Sequence, residues 1–182
     1  METDRADLLS IVPLARSHFR TISSWFRSAR DVAIWAGPSS TYPVDDRQFQ
    51  VMLNEASQSP PCRIARVATL GSEVVAHAQL AVDRRVGSAT LQRVAVSPSQ
   101  RGRGLAGRFL KQILAEGFSI AEIERIDLLV FPFNTPAIRA YQSLGFIHEG
   151  RLRSSMPFET ERWDTLLMSI LRSEATPAIS QS

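Results

Sequence analysis

Between Arg63 and Val96 three strand-like runs follow one another with only short turns between them, and a chain that does this must build an antiparallel sheet. The runs are RIARVATL, VVAHAQLAVD and SATLQRVAV, joined by GSE and by RRVG. They form the centre of the predicted fold. Before them, a short strand around Ile11 to Leu14 precedes a helix whose Phe19, Ile22, Phe26, Ala29 and Ala33 share one face. Gly37-Pro38 stops that helix, and Asp45 and Asp46 stand at N-cap positions ahead of Phe49, Met52 and Leu53, so a second helix runs to about Ala56.

After the three strands, an apolar stripe of Leu105, Ala106, Phe109, Leu110, Ile113, Leu114 and Phe118 predicts a third helix. RIDLLVF then reads as a strand buried on both faces, ending at Pro132. Thr135-Pro136 starts a fourth helix, with Ala137, Ile138, Tyr141 and Leu144 inward, and Gly145 ends it. Phe146 to about Arg153 and about Asp164 to Leu171 complete the sheet as a last strand pair. The order predicts one domain over residues 1–172 and a polar tail over 173–182.

Composition narrows the class. With 182 residues, 44% hydrophobic and 21% charged, the chain has ordinary globular content and length for one sizeable core. A net charge of +3 suits an anionic ligand but falls short of a dedicated nucleic-acid binder. Cys62 stands alone, and His18, His77 and His148 are scattered, so neither a disulfide nor zinc-ligand spacing is present. The acidic, weakly apolar start METDRADLLSIVPL supports no signal peptide, and no run is apolar enough for a membrane span. These features together predict a soluble, cytoplasmic protein without a metal.

The stretch SPSQRGRGLAGRFL, Ser97 to Leu110, carries the chemistry. Glycines ahead of a helix allow the backbone to approach a phosphate, which the free N–H groups and positive dipole end of the helix attract. Gly102, Gly104 and Gly107 spell the spacing of a dinucleotide fold, but five residues separate them from the strand, and Asp127 is no ribose-binding acid at the end of a following strand. No Gly-Lys-Ser/Thr follows, which removes a P-loop. What remains is a ring of main-chain amides holding a pyrophosphate with no metal.

Two segments carry a family likeness. VAVSPSQRGRGLAGRFL resembles motif A of the GNAT acetyltransferases, with Arg101, Gly104 and Ala106 at its three defining positions. NTPAIRAYQSLGF, Asn134 to Phe146, resembles the family's Asn-x-x-Ala-x-x-x-Tyr-x-x-x-Gly-Phe signature at every named position. AIWAGP and RWDTLLMSIL look like the ribosomal-protein-alanine N-acetyltransferase branch. The resemblance implies an α+β (α/β/α) fold: a mixed, mostly antiparallel sheet of six to seven strands, about four flanking helices, and a V-shaped splay between strands 4 and 5. It further implies acetyl-CoA as cofactor, an amine-bearing acceptor that is a small molecule or a protein N-terminus, no nucleic-acid or membrane partner, and the homodimers common in the superfamily.

The same resemblance assigns roles. Val94, Ala95 and Val96 run beside the pantetheine arm, while Arg101, Gly102, Arg103, Gly104, Leu105, Ala106 and Gly107 hold the pyrophosphate. Asn134 hydrogen-bonds the cofactor chain. Tyr141, two turns further along that helix, protonates the departing thiolate; a phenol near pKa ~10 stays protonated at neutral pH beside a thiol near ~8.5. A glutamate expected five residues before Asn134 is replaced by Leu129, which leaves deprotonation open between a water chain and another group, with His77, Glu149, Glu159 and Glu161 as candidates. Trp35 and Tyr42 are candidates to line an acceptor pocket, and Arg151, Arg153 and Arg162 read either as an anion-attracting patch or as a solvated edge. Two rivals stay open: a non-catalytic acyl-CoA-binding module, motivated by Leu129, and a nucleic-acid patch at RGRG.

Overall fold

The computed structural model describes residues 9–175, so Met1 to Leu8 and the tail beyond Ala175 lie outside the described residues. Seven strands form one sheet: β1 (Leu9–Pro13), β2 (Arg63–Leu70), β3 (Glu73–Asp83), β4 (Ser88–Val96), β5 (Arg125–Val130), β6 (Ile147–Phe158) and β7 (Glu161–Leu171). Their order across the sheet is β1-β2-β3-β4-β5-β7-β6. Every neighbouring pair is antiparallel except β4 and β5. That pair is joined through α4 (Leu105–Ser119), as a parallel connection requires. Among the described residues no helix is long and apolar enough to cross a membrane.

The sheet separates two apolar cores. On one face α4 and α5 (Thr135–Ser143) bring Phe109, Leu110, Ile113, Leu114, Tyr141 and Leu144 against Leu80, Ile126, Leu128, Met168 and Ile170. On the other, Phe19, Ile22, Trp35, Phe49 and Met52 pack on Ala65 and Val67. These five come from α1 (Phe19–Ser23), α2 (Ala29–Ala36) and α3 (Asp46–Ala56).

The expected single first helix is therefore two, which brings the α-helix total among the described residues to five. The expected inward face does not continue across the break: Ser28 accepts a hydrogen bond from the Asp31 amide at 3.1 Å and starts a new helix, which buries Val32 and Trp35 and leaves Ala29 exposed. Asp45 caps α3 in the same way, through the Gln48 amide at 3.0 Å. Strand β1 begins two residues earlier than expected. The β6–β7 hairpin is much longer than the sequence suggests, because its outer residues are polar and exposed on an edge where pairing rather than burial defines the strand.

Strand β5 also departs from expectation. It is buried on one face only: Ile126, Leu128 and Val130 point into the core with α4, while Leu129 is 50% exposed. The α1–α3 layer covers β2 to β4 and leaves this part of the sheet open on that side.

Arg172 closes the far end of α4, a role the sequence did not reveal. Its guanidinium donates to the carbonyls of Phe118 at 2.7 Å and Ile120 at 2.8 Å and to Glu124 at 3.1 Å, satisfying acceptors that a helix end leaves free. Arg172→Ala is expected to lower the unfolding free energy by about 1–3 kcal/mol in a denaturant titration, the cost of stranding those carbonyls.

Candidate active site

Strands β4 and β5 pair only from Ser88–Arg125 to Thr90–Asp127. Beyond that point β4 continues to Val96 and β5 to Val130 without pairing to each other, so each presents main-chain groups to a gap. This is the splay expected between strands 4 and 5. Val94, Ala95 and Val96 line its β4 side.

A β-bulge sits at the mouth of the gap. Gln79 pairs with Gln92 and His77 with Ala95, so Arg93 and Val94 together oppose Ala78. Arg93 takes φ +51, outside the usual range for a residue with a side chain. Its carbonyl is pinned by the Trp35 indole N–H at 2.8 Å, which gives Trp35 a structural task; the ring itself is buried, stacked on Phe26 at 4.5 Å. Tyr42, by contrast, is 47% exposed.

The glycine stretch connects this mouth to α4. Ser97 still belongs to the sheet through its amide bond to the Val75 carbonyl at 2.8 Å, and a 3-10 turn over Pro98–Gln100 leads into Arg101. Gly102 and Gly104 take φ +77 and +72, and a Cβ built on either meets nothing within 4 Å. The backbone curls left-handed beside open space. Gly104 is the N-cap of α4 and supplies no side-chain acceptor, so the first-turn amides of α4 receive no capping side chain. Leu105 is buried and anchors this turn; Ala106 and Gly107 are half-buried in it.

Two arginines are held around the loop. Arg101 donates to the Val96 carbonyl at 3.3 Å, and Arg103 to the Gln100 side chain at 2.8 Å. A cavity of about 220 Å³ lined by Leu70, Gln100, Arg103, Leu105 and Arg108 adjoins the loop on its β2 side. A diphosphate suits this donor set: amides without competing acceptors, a helix N-terminus, and guanidiniums of matching charge.

Across the gap, Asn134 is the N-cap of α5, and its side-chain amide has no hydrogen-bond partner among the described residues. Tyr141 lies on the same helix, 8% exposed, with its ring 5.8 Å from that of Phe146. Burial pushes its phenol above the ordinary value, which keeps it protonated.

The base candidates separate clearly. His77 is fully buried; Nδ1 lies 2.9 Å from the Arg66 carbonyl and Nε2 lies 3.0 Å from the Gln79 amide. Burial lowers its pKa to about 4, and with both ring nitrogens engaged it is a neutral sheet residue, not a base. Glu149 accepts two bonds from Arg125, both at 2.6 Å, and one from Ser169 at 2.6 Å, which hold its carboxyl down to about 2. Such an ion is too weakly basic to deprotonate an amine. Glu159 sits exposed in the β6–β7 turn, and Glu161 accepts from the Trp163 indole at 2.9 Å.

Glu149 instead predicts a pH effect on stability. Its folded pKa lies below the unfolded carboxylate value of 4.5, so its contribution is present above that value and is lost as pH falls toward 2. Chemical denaturation of the wild type and Glu149→Gln should show a gap in midpoint at pH 7 that closes between about pH 4.5 and pH 2.

Of the arginines on the last hairpin, Arg151 pairs with Asp164 at 2.6 Å and Arg162 donates to Ser154 at 2.6 Å, which uses much of the charge of the supposed patch within the hairpin. Cys62 is exposed. Among the described residues, no group of three or more His, Cys, Asp or Glu side chains is arranged to hold a metal.

This arrangement of a strand gap, a bulge and a glycine turn into a helix defines a class, and comparison with known proteins agrees. Residues 25–146 match the acetyltransferase (GNAT) family. The chain belongs to that family. An uncharacterized N-acetyltransferase from the SPbeta prophage of Bacillus subtilis is 30% identical over 81 residues, 44% of this chain and 46% of the relative. Spermidine N(1)-acetyltransferase of Escherichia coli K12 is 37% identical over 60 residues, 33% of this chain and 32% of that enzyme. The chain thus spans about half or less of the length of these curated relatives. In three dimensions it resembles spermidine N-acetyltransferase from Vibrio cholerae, solved in complex with CoA and spermine, with TM-score 0.78 at 21% identity, covering 91% of this chain and 96% of the other. That likeness establishes the GNAT fold.

Proposed function

We propose that the protein transfers an acetyl group from acetyl-CoA to the primary amine of a small molecule. One observation carries the reading: an uncapped helix N-terminus with two left-handed glycines stands at the end of a strand that has parted from its parallel neighbour. Arg101, Gly102, Arg103, Gly104, Leu105, Ala106 and Gly107 hold the diphosphate of the cofactor. Val94, Ala95 and Val96 offer main-chain partners to its amide-bearing arm, as an open strand edge does to an added strand, and Asn134 binds the same arm from the α5 side. Bound acetyl-CoA supplies an activated thioester.

The protein's part is to orient, to exclude water and to deliver a proton. An amide of the bulge segment would donate to the acyl oxygen on which charge develops. Tyr141 gives its hydroxyl proton to the departing sulfur. Its raised pKa favours proton retention, but the same low-polarity surroundings make the thiolate more basic, so the transfer stays near balance. With His77 enclosed in the sheet and Glu149 held by Arg125 and Ser169, the acceptor amine is assigned to lose its proton to solvent. Bringing an alkylammonium of pKa ~10.4 to the neutral form at pH 7 costs roughly 4–5 kcal/mol, and the rate should rise with pH.

That spermidine acetyltransferases appear among the relatives supports a small amine over a protein N-terminus. The test is to incubate the protein with acetyl-CoA and a panel of amines and to follow thiol release. Amine-dependent release is expected; coenzyme A binding without release from any amine would leave a non-catalytic acyl-CoA-binding module.

A further inference from the structure

Beneath the α1–α3 layer, β2, β3 and β4 carry a polar network that acetyl transfer does not require. Arg63 is ion-paired with Glu55 and donates to Gln79 and Gln92, both at 3.2 Å. Arg93 donates to the same Gln79 oxygen at 3.0 Å and to the Ser39 hydroxyl at 3.0 Å. Two guanidiniums therefore share one neutral acceptor. Only Arg63 has a carboxylate; among the described residues no acid lies within 4.0 Å of the Arg93 nitrogens.

Arg93 is also incompletely satisfied. Its Nε is buried with no partner, and so is the hydroxyl of Ser40, the residue following the serine that Arg93 holds. Burial and the neighbouring Arg63 charge, partly offset by Glu55, lower the Arg93 pKa to about 10, which leaves it a cation at neutral pH. A desolvated charge with an unused N–H is costly unless something completes its shell.

Position says what the something is. Arg93 belongs to the bulge directly before Val94 to Val96, between the last β4–β5 pair at Thr90 and the glycine turn, a stretch that the transferase reading assigns to the acyl end of the cofactor rather than to its diphosphate. The loop bearing Ser39 and Ser40 borders this end, and Gly37 packs against Met156 of β6. A second cation, Arg30, stacks on Phe133 and Trp163 at 5.2 and 4.7 Å, above the end of β5.

We propose that Arg93, with Ser39 and Ser40, receives a carboxylate on the acceptor, so that the acceptor is an amino acid or a related amine-bearing acid rather than a polyamine. This rests on the transferase reading above. The Nη–H donors left beside Ser39, at the exposed end of the side chain, can take a carboxylate oxygen, and the enclosed Nε–H joins them in a two-bond grip once the Ser39–Ser40 loop shifts aside. A polyamine would instead bring further positive charge against two guanidiniums that share the single carboxylate of Glu55.

The experiment measures acetyl-CoA-dependent thiol release with the twenty L-amino acids, their C-terminal amides, and spermidine, on the wild type, Arg93→Gln and Arg93→Lys. At least one free acid should exceed its amide in kcat/KM by roughly 10- to 100-fold, the worth of a charge-assisted pair. Arg93→Gln should bring that ratio close to one through KM, and Arg93→Lys should restore part of it. Coenzyme A titration of each variant checks that the fold is intact, and calorimetric titration of the amino acids into the coenzyme A complex gives an arm independent of turnover. Equal use of acids and amides, a preference for spermidine, or no acid bound or acetylated by a protein that binds coenzyme A would overturn this proposal. Turnover of spermidine or amides alone leaves the transferase reading standing, whereas failure to bind coenzyme A removes both.

Discussion

Tyr141→Phe is expected to lower turnover by about 100- to 1,000-fold, the span of a lost general acid, while coenzyme A affinity stays nearly unchanged. The substitution removes one oxygen and keeps the ring that packs on Phe146 inside the α4–α5 core. Stability should therefore change little, because the hydroxyl has no hydrogen-bond partner among the described residues that the substitution would strand. Steady-state rates together with a coenzyme A titration separate the two roles. A variant that turns over as fast as the wild type would show that the sulfur takes its proton elsewhere.

Gly104→Glu should reduce coenzyme A affinity by at least about 100-fold through charge repulsion, with a separate cost to folding stability from its backbone. The residue has φ +72, a region that costs a side-chain-bearing residue of order 1–3 kcal/mol, and the new carboxylate would project into the open space beside the loop. There it would meet the diphosphate, charge against charge. Because the space is open, folding should survive, and circular dichroism of the variant should match the wild type. Titration by calorimetry gives the affinity.

The sequence made the site legible to different degrees. The glycine turn could be read because left-handed backbone and a bare helix start leave a compositional trace, and Asn134 and Tyr141 because they share a helix with fixed spacing. The bulge left no such trace: Arg93 reads as an ordinary strand residue, and only the register between β3 and β4 shows that it and Val94 oppose one partner. Its orphaned Nε is likewise a product of tertiary packing.

Elsewhere, local signals were outweighed by long-range ones. The apolar spacing from Phe19 to Ala33 runs on through a break made by one serine cap, and past that break α2 turns Val32 and Trp35 inward and leaves Ala29 exposed. RIDLLVF looked doubly buried because apolar runs do not record which layer covers them, and here one face of β5 lacks a helix. His77 was a fair base candidate by residue type, but the Arg66 carbonyl and Gln79 amide, far from it in the chain, engage both of its nitrogens.

The central claim is that main-chain amides at the start of α4 grip a diphosphate without a metal, and it is tested most directly by calorimetric titration of coenzyme A into the protein in the presence of a chelator, with pantetheine as the control lacking the diphosphate. The expected result is saturable one-to-one binding of coenzyme A, unaffected by the chelator, with pantetheine bound at least about 100-fold more weakly. Absence of heat with coenzyme A, a need for a divalent cation, or equal affinity for pantetheine would contradict it.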